Sequence, residues 1–288
     1  MPATVDINDL RRHIGKAIEE NDVATAAPLH GLIVTFDRDE PPPQDGDVIQ
    51  PGWHSAYFLQ MSRKAKLAAD GLPIDSALLP PMPFPRRMYA GADIAFHEPI
   101  RVGDRLRRVS EFTDISLREG STGALIFVTQ TRSIFTPRGL AVVDRWHTVF
   151  REEVPAGQQS AVPKRDAPDG DLPWRRTIEV DPVSLFRYSA LTFNPHRIHY
   201  DRDYATTVEG YPGLVVHGPY SQQCLLDFAR DHMAGRHMAT FTQRARAPLF
   251  DTAPFTLVGR PLDEGRSAEL WALTNQGTIA MQAKATFA

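Results

Sequence analysis

At 288 residues the chain is long enough for one large domain or two of ordinary size. Hydrophobic residues at 42% and charged residues at 23% fit a globular protein, and a formal charge of −3 argues against a nucleic-acid partner, which selects for a basic excess. The single cysteine, Cys224, excludes an intrachain disulfide framework and fits a reducing compartment.

Its setting, QQCLLDF, is apolar and helical, so Cys224 reads as a core thiol rather than a nucleophile. The first residues, MPATVDINDLRRHIGKAIEEND, mix acidic and basic side chains and have the pattern of neither a secretory signal nor a transit peptide. No apolar run reaches the roughly 18 residues of a membrane span. The expected location is the cytoplasm.

In chain order, residues 7–20 are expected to form a helix capped by Asp6, with Leu10, Ile14 and Ala17 on one face. Leu29 to Phe36 is a short apolar run bounded by turns, the pattern of a strand. After the loop DRDEPPPQDGD, Pro51-Gly52-Trp53 introduces a second expected helix, with Phe58, Met61 and Ala65 on its buried face and a stop near Asp70-Gly71. The Pro-rich stretch 72–86 is a loop. Strands are expected at 92–96, 105–115, 124–136 and 141–150, with turns at 102–104, 119–121 and 137–139.

Residues 156–172 are polar with scattered Pro and Gly, and mark a linker between a unit at 1–155 and a unit at 173–288. The second unit repeats the plan of the first. A strand at 177–180 leads to Asp181-Pro182, an N-cap followed by proline at the first helical position. That helix carries Leu185, Phe186 and Leu191. Gly218-Pro219 opens another, with Leu225, Leu226, Phe228 and Met233 as its buried face, and strands follow at 239–246, 254–260, 268–275 and 278–287. The two halves match locally, Gly52-Trp53-His54-Ser55 against Gly218-Pro219-Tyr220-Ser221. Alone, this pattern supports an α+β class.

The polar side chains suited to proton transfer concentrate in YSALTFNPHRIHYDRDYATTVEGYPGLVVHG, residues 188–218. His199 is the candidate base, because the free pKa of imidazole lies nearest neutrality. Asn194 cannot exchange protons but can orient a water or the imidazole through its amide. Pro219 has no N–H, so the backbone N–H of Gly218 is the candidate donor to a developing oxyanion at the helix start. His196, either in the site itself or one hydrogen bond behind it, and His217 are placed with the substrate-binding residues, although the plainer reading of His217 is a structural cap holding the turn. Arg86, Arg87 and Arg197 are candidates for clamping a carboxylate or phosphate, against the plainer reading of solvated charges. A metal on His196, His199 and Asp201 is disfavoured: residues three apart on an extended chain point to opposite faces, and further ligands at metal-site spacing are lacking.

Residues 188–218 resemble the MaoC-like, or R-specific enoyl-CoA hydratase, family, whose motif has the form S-G-D-x-N-P-x-H-x-D followed by an apolar stretch ending in H-G. Aligned without gaps, Thr192-Phe193-Asn194 fall on S-G-D, His196 on the asparagine, and His199-Tyr200-Asp201 on H-x-D. Asn194 thus stands where the family has its catalytic aspartate. That variant is similar to fungal-type hydroxyacyl-thioester dehydratases and to bacterial hydratases of mesaconyl-C4-CoA or itaconyl-CoA. Pro85-Arg86-Arg87-Met88 and Ala90-Gly91 resemble the degenerate first unit of those proteins.

The resemblance implies a double hotdog, two units that each wrap a long helix in an antiparallel sheet. It implies a hydro-lyase acting on a short enoyl-CoA, with CoA as part of the substrate, no separate cofactor, and an acyl-CoA as the partner molecule. A dehydratase of fatty 3-hydroxyacyl thioesters, a hotdog thioesterase and a non-catalytic acyl-CoA-binding protein are the rival readings. The thioesterase needs a carboxylate on the long helix, where Asp227 and Asp231 lie well past the N-terminus. Both a monomer and a homodimer are compatible with two units in one chain. Because the motif reads as a loop, His199→Ala is expected to abolish hydration with little loss of folding.

Overall fold

The computed structural model describes residues 6–74, 78–120, 123–152 and 168–288. Its frame is a single ten-stranded antiparallel sheet. The strands are β1 (Ala17–Val23), β2 (Arg86–Phe96), β3 (Arg105–Gly120), β4 (Gly123–Thr136), β5 (Gly139–Arg151), β6 (Trp174–Ile178), β7 (Met238–Ala245), β8 (Phe255–Leu262), β9 (Ser267–Leu273) and β10 (Ile279–Phe287). Across the sheet they run β1-β3-β4-β5-β2-β7-β10-β9-β8-β6. From either edge inward, each half places its own strands first, third, fourth, fifth and second. This internal repeat is the double hotdog that the sequence implied, and β2 joins β7 at the seam through the pairs Gly91–Arg244 to Ala95–Thr240.

Among the described residues four α-helices accompany the sheet: α1 (Ile7–Arg11), α2 (Ala26–Thr35), α3 (Pro182–Leu191) and α4 (Gly218–His232). The expected buried face of α4 is present. Leu225, Leu226 and Phe228 are fully buried in one core with Phe241, Leu257 and Leu270, each burial contributing roughly 2 kcal/mol. Cys224 is buried with them.

Three expected elements differ. Asp6 does cap a helix, accepting from the Asn8 N–H at 2.9 Å, but the helix ends at Arg11. Gly15 takes a left-handed turn (φ 84°), and Ala17–Val23 alternates in exposure as a strand on β3. The run at 29–36 is α2, not a strand. Leu29, Leu32 and Ile33 are buried at helical spacing where α2 meets α3, and this tertiary contact outweighs the β-preference of Ile33-Val34-Thr35.

The long helix expected after Trp53 is absent; the chain makes only short 3-10 turns at Trp53–Ala56 and Lys64–Lys66, and Phe58 adopts a left-handed φ of 56°. The second half therefore wraps a helix and the first half does not. Within α3, Leu185 and Tyr188 are buried, whereas Phe186 is exposed. Of the linker expected at 156–172, residues 156–167 lie outside the described residues, as do Ser121 of the turn at 119–121 and residues 75–77 of the Pro-rich stretch.

Candidate active site

Helix α3 delivers the chain to the site. Asp181 caps its start, accepting from the Ser184 N–H at 2.7 Å, with Pro182 behind it as expected. At its end the Phe193 N–H reaches the Ala190 carbonyl at 3.3 Å, and the Asn194 N–H the Ser189 carbonyl at 2.8 Å. That pair of bonds is a Schellman ending, which needs a left-handed residue, and Phe193 supplies it at φ 49°. A side chain in that conformation costs about 1 kcal/mol relative to glycine. Because the ring is half exposed, Phe193→Gly is expected to raise the unfolding free energy by about 1 kcal/mol, read as a higher urea midpoint at constant slope. An unchanged or lower midpoint would show that the ring's contacts outweigh the strain.

Beyond this turn Asn194 accepts the His196 N–H on Oδ1 at 3.1 Å. Its amide nitrogen has no acceptor among the described residues and remains available as a donor. A single 3-10 turn, Arg197–His199, then turns His199 inward. Its Nδ1 lies 2.7 Å from the Val215 carbonyl. A carbonyl only accepts, so Nδ1 carries the proton and the lone pair is on Nε2.

Behind His199 the ring of His217 is stacked at 3.6 Å between centroids and 20° between planes. His196 stands edge-on at 5.5 Å. His217 is held by Ser189, whose Oγ lies 2.8 Å from Nε2. Burial, reinforced by the proximity of His196, pushes His199 down to about 3. Burial and then the Arg87 charge push His196 down to about 4. For His217, burial and then the two other imidazoles act in the same direction. All three rings are neutral at ordinary pH.

The residue after His217 is Gly218, the first of α4. An N–H at that position has no partner inside the helix and sits at the positive end of the helix dipole. The chain approaches from the first half as well: a Cβ on Gly218 would lie 2.2 Å from Tyr89 Cδ1. Tyr89 is fixed by hydroxyl bonds to Gln222 and, at 3.0 Å, to Gln243, and by its ring against Trp146 at 4.5 Å. A neutral base with a free lone pair, a spare amide donor and an orphan backbone N–H are thus assembled where the two halves meet.

Three residues expected to bind substrate face elsewhere. His217 has no exposed surface and forms the wall behind His199. Arg86 is engaged with Glu209 at 2.9 Å and with the Tyr211 hydroxyl at 3.2 Å. Arg197 forks onto Asp201 at 3.0 and 2.7 Å and donates to the Ala69 carbonyl at 3.0 Å. Arg87 differs: among the described residues it makes no hydrogen bond or contact ion pair. It is exposed yet sits deep enough for burial to lower its pKa, as on the wall of a solvent-filled cleft. His199 is itself 7% exposed, so His199→Ala would also leave a cavity and an unpartnered carbonyl, contrary to the expectation of little structural loss.

Sequence reasoning missed Tyr89 and Ser189, and also Arg132, whose guanidinium lies over the same Trp146 ring that Tyr89 packs against. The signal for Arg132 was present in β4, where Ile126, Val128, Gln130, Arg132 and Ile134 share one face by parity. Two polar residues amid inward apolar ones break the pattern of a fully apolar core face. A separate cavity of about 1040 Å³ lies further along α4, walled by Asp37, Asp39, Glu40, Glu179 and Asp231 among others. Arg38 and Arg176 in its wall are already paired with Asp231 at 2.7 and 3.0 Å, and none of the expected site residues lines it.

The sequence profile of the hydroxyacyl-thioester dehydratase type 2 family matches residues 52–251, which include this entire constellation. The chain belongs to that family. Its relatives include the mesaconyl-C(4)-CoA hydratase of Chloroflexus aurantiacus, 39% identical over 94% of this chain and 95% of that one. The mitochondrial hydroxyacyl-thioester dehydratase type 2 of Schizosaccharomyces pombe is 28% identical over 73% of this chain and 77% of its own. A Mycobacterium tuberculosis protein described as a double hotdog fold superposes with a TM-score of 0.56 at 13% identity, covering 98% of both chains. This dehydratase-family member is therefore a carbon–oxygen lyase of the hydratase type on a double hotdog. Among its described residues no helix is long and apolar enough to cross a membrane.

Proposed function

We propose that the protein reversibly adds water to the double bond of a short enoyl-CoA, and that a branched C5 dicarboxylic thioester such as mesaconyl-C4-CoA is the favoured class. The observation that carries this reading is His199 with its Nε2 lone pair free, stacked against His217, the residue immediately before α4. In the reaction, Nε2 takes a proton as the water oxygen bonds to the β-carbon. The electron pair of the double bond moves onto the thioester oxygen, where the Gly218 N–H and the helix dipole stabilise the charge. The α-carbon then takes the proton back from the imidazolium, so one H and one OH have been added and the base is restored. Asn194 donates its free amide to the attacking water. CoA enters and leaves as part of the substrate, and the reducing cytoplasm suits the lone buried thiol.

The family description and the fission-yeast relative favour a second substrate, a 3-hydroxyacyl thioester on a carrier protein. Hydrolysis is disfavoured by the position of Asp227, nine residues and about 13 Å along α4 from Gly218. There it is enclosed with Arg38 and Arg230 at 3.7 Å each. The test is a spectrophotometric screen of crotonyl-, mesaconyl-C4- and itaconyl-CoA, following loss of enoyl absorbance. Turnover is expected with at least one; no loss of absorbance with any of them would remove the hydratase reading.

A further inference from the structure

Among the described residues no long helix packs on the inner sheet face of the first half, and that face carries two arginines. On β4, Gln130 and Arg132 replace the buried apolar residues found at the other inward positions, opposite Trp146 and Asp144 on β5. The Arg132 guanidinium lies over the Trp146 ring at 4.5 Å, and its Nε and Nη2 donate to Gln130 Oε1 at 3.2 and 3.0 Å. Its nearest carboxylate, Asp144, is 3.9 Å away from Nη1, beyond hydrogen-bond reach. Arg87 projects from β2 on the same face, without a contact partner among the described residues.

Arg87 is close enough to act on the charge of Arg132: burial, opposed by Asp144 and reinforced by Arg108 and then Arg87, lowers Arg132 to about 10. Two like charges, neither hydrogen-bonded to a carboxylate among the described residues and with Asp144 and Asp70 acting on them only from a distance, repel each other. Such an arrangement is stabilised by an anion that arrives from outside.

Its location says which anion. Tyr89, the inward residue next after Arg87 on β2, touches Gly218, and Arg87 acts electrostatically on His196. The subsite therefore adjoins the reacting carbons. The pantetheine arm keeps the phosphates of CoA far from its thioester, so an anion here belongs to the acyl group. A fatty chain would have to press methylenes against two charged groups.

Building on the hydratase reading, we propose that Arg87 and Arg132 form a carboxylate subsite that receives the second, free carboxylate of a short dicarboxylic acyl-CoA. Arg132 is the fixed donor, held flat by Gln130 and Trp146, and Arg87 closes from the β2 side. Each is a specificity-determining residue rather than a catalytic one.

The test compares binding of two saturated ligands by titration calorimetry: succinyl-CoA, which has a free carboxylate, and butyryl-CoA, which does not. The wild-type protein is expected to bind succinyl-CoA at least about tenfold more tightly, the range for charge-assisted hydrogen bonds. Arg132→Gln and Arg87→Gln should each reduce that ratio about tenfold or more, and Arg132→Lys should retain part of it. Arg87→Gln removes no internal bond, so it tests the proposal even if Arg132→Gln folds poorly. Equal binding of the two ligands by wild type, or a ratio untouched by both substitutions, overturns the subsite. If an enoyl-CoA is still hydrated in that case, the hydratase reading stands alone. If the preference is present but no enoyl-CoA is hydrated, the subsite stands and the hydratase reading falls.

Discussion

His199→Asn is expected to lower kcat for enoyl-CoA hydration by about 10³- to 10⁴-fold, the contribution of a positioned general base. Asparagine is the sharp substitution because its amide nitrogen takes the place of Nδ1. It keeps the bond to the Val215 carbonyl and removes only the atom that would receive the proton. The variant should therefore unfold at nearly the wild-type midpoint. A loss below tenfold would assign the proton transfer to another group.

The pH profile gives an independent reading of the same atom. A base works in its unprotonated form, and burial places the conjugate acid of His199 at about 3. The kcat/KM of the wild-type protein should stay level from pH 8 down to pH 5, where an ordinary imidazole would already be mostly protonated. An acidic limb centred near 6.5 would mean that the free site holds His199 in water rather than behind His217.

The second half of the protein was legible in the sequence because its signals were local. Asp181-Pro182, the apolar face of α4 and the short turn-bounded runs of β7 to β10 each follow from a few neighbouring residues. The register of residues 192–201 on a family motif brought Asn194, His196 and His199 together, and the structure adds a reason for that motif. Its glycine falls on Phe193, the one left-handed position of the helix ending. In the first half the decisive interactions are long-range, so local signals misled. Leu29, Leu32 and Ile33 fold as a helix because α3 is there to cover them, and Phe58 and Met61 have helical spacing but no helix. Arg86 and Arg197 were indistinguishable from Arg87 until the structure placed Glu209 and Asp201 beside the first two. Which cation is left uncompensated depends on partners more than 100 residues away in the case of Arg86, and no window on the sequence contains both.

Gly218→Ala is expected to be nearly as damaging as loss of the base, for a reason that lies in the first half of the chain. Gly218 has no left-handed φ, so alanine meets no backbone strain and ordinarily favours a helix. The obstacle is the new methyl, which would lie 2.2 Å from Tyr89 Cδ1, 2.9 Å from Cγ and 3.1 Å from its Cβ. Tyr89 cannot swing aside without breaking its bonds to Gln222 and Gln243 and leaving Trp146. The start of α4 must therefore shift, and with it the N–H that the proposed reaction directs at the thioester oxygen. Displacing one oxyanion donor costs about 10²- to 10³-fold in kcat, and the overpacking about 1–3 kcal/mol of stability. The cause is separable by a double-mutant cycle. In a Tyr89→Ala background the methyl has room, so the further loss of kcat on adding Gly218→Ala should shrink to a few-fold. If the loss is the same in both backgrounds, the ring is not what confines the helix start, and the close approach of the two halves would have no part in holding the donor.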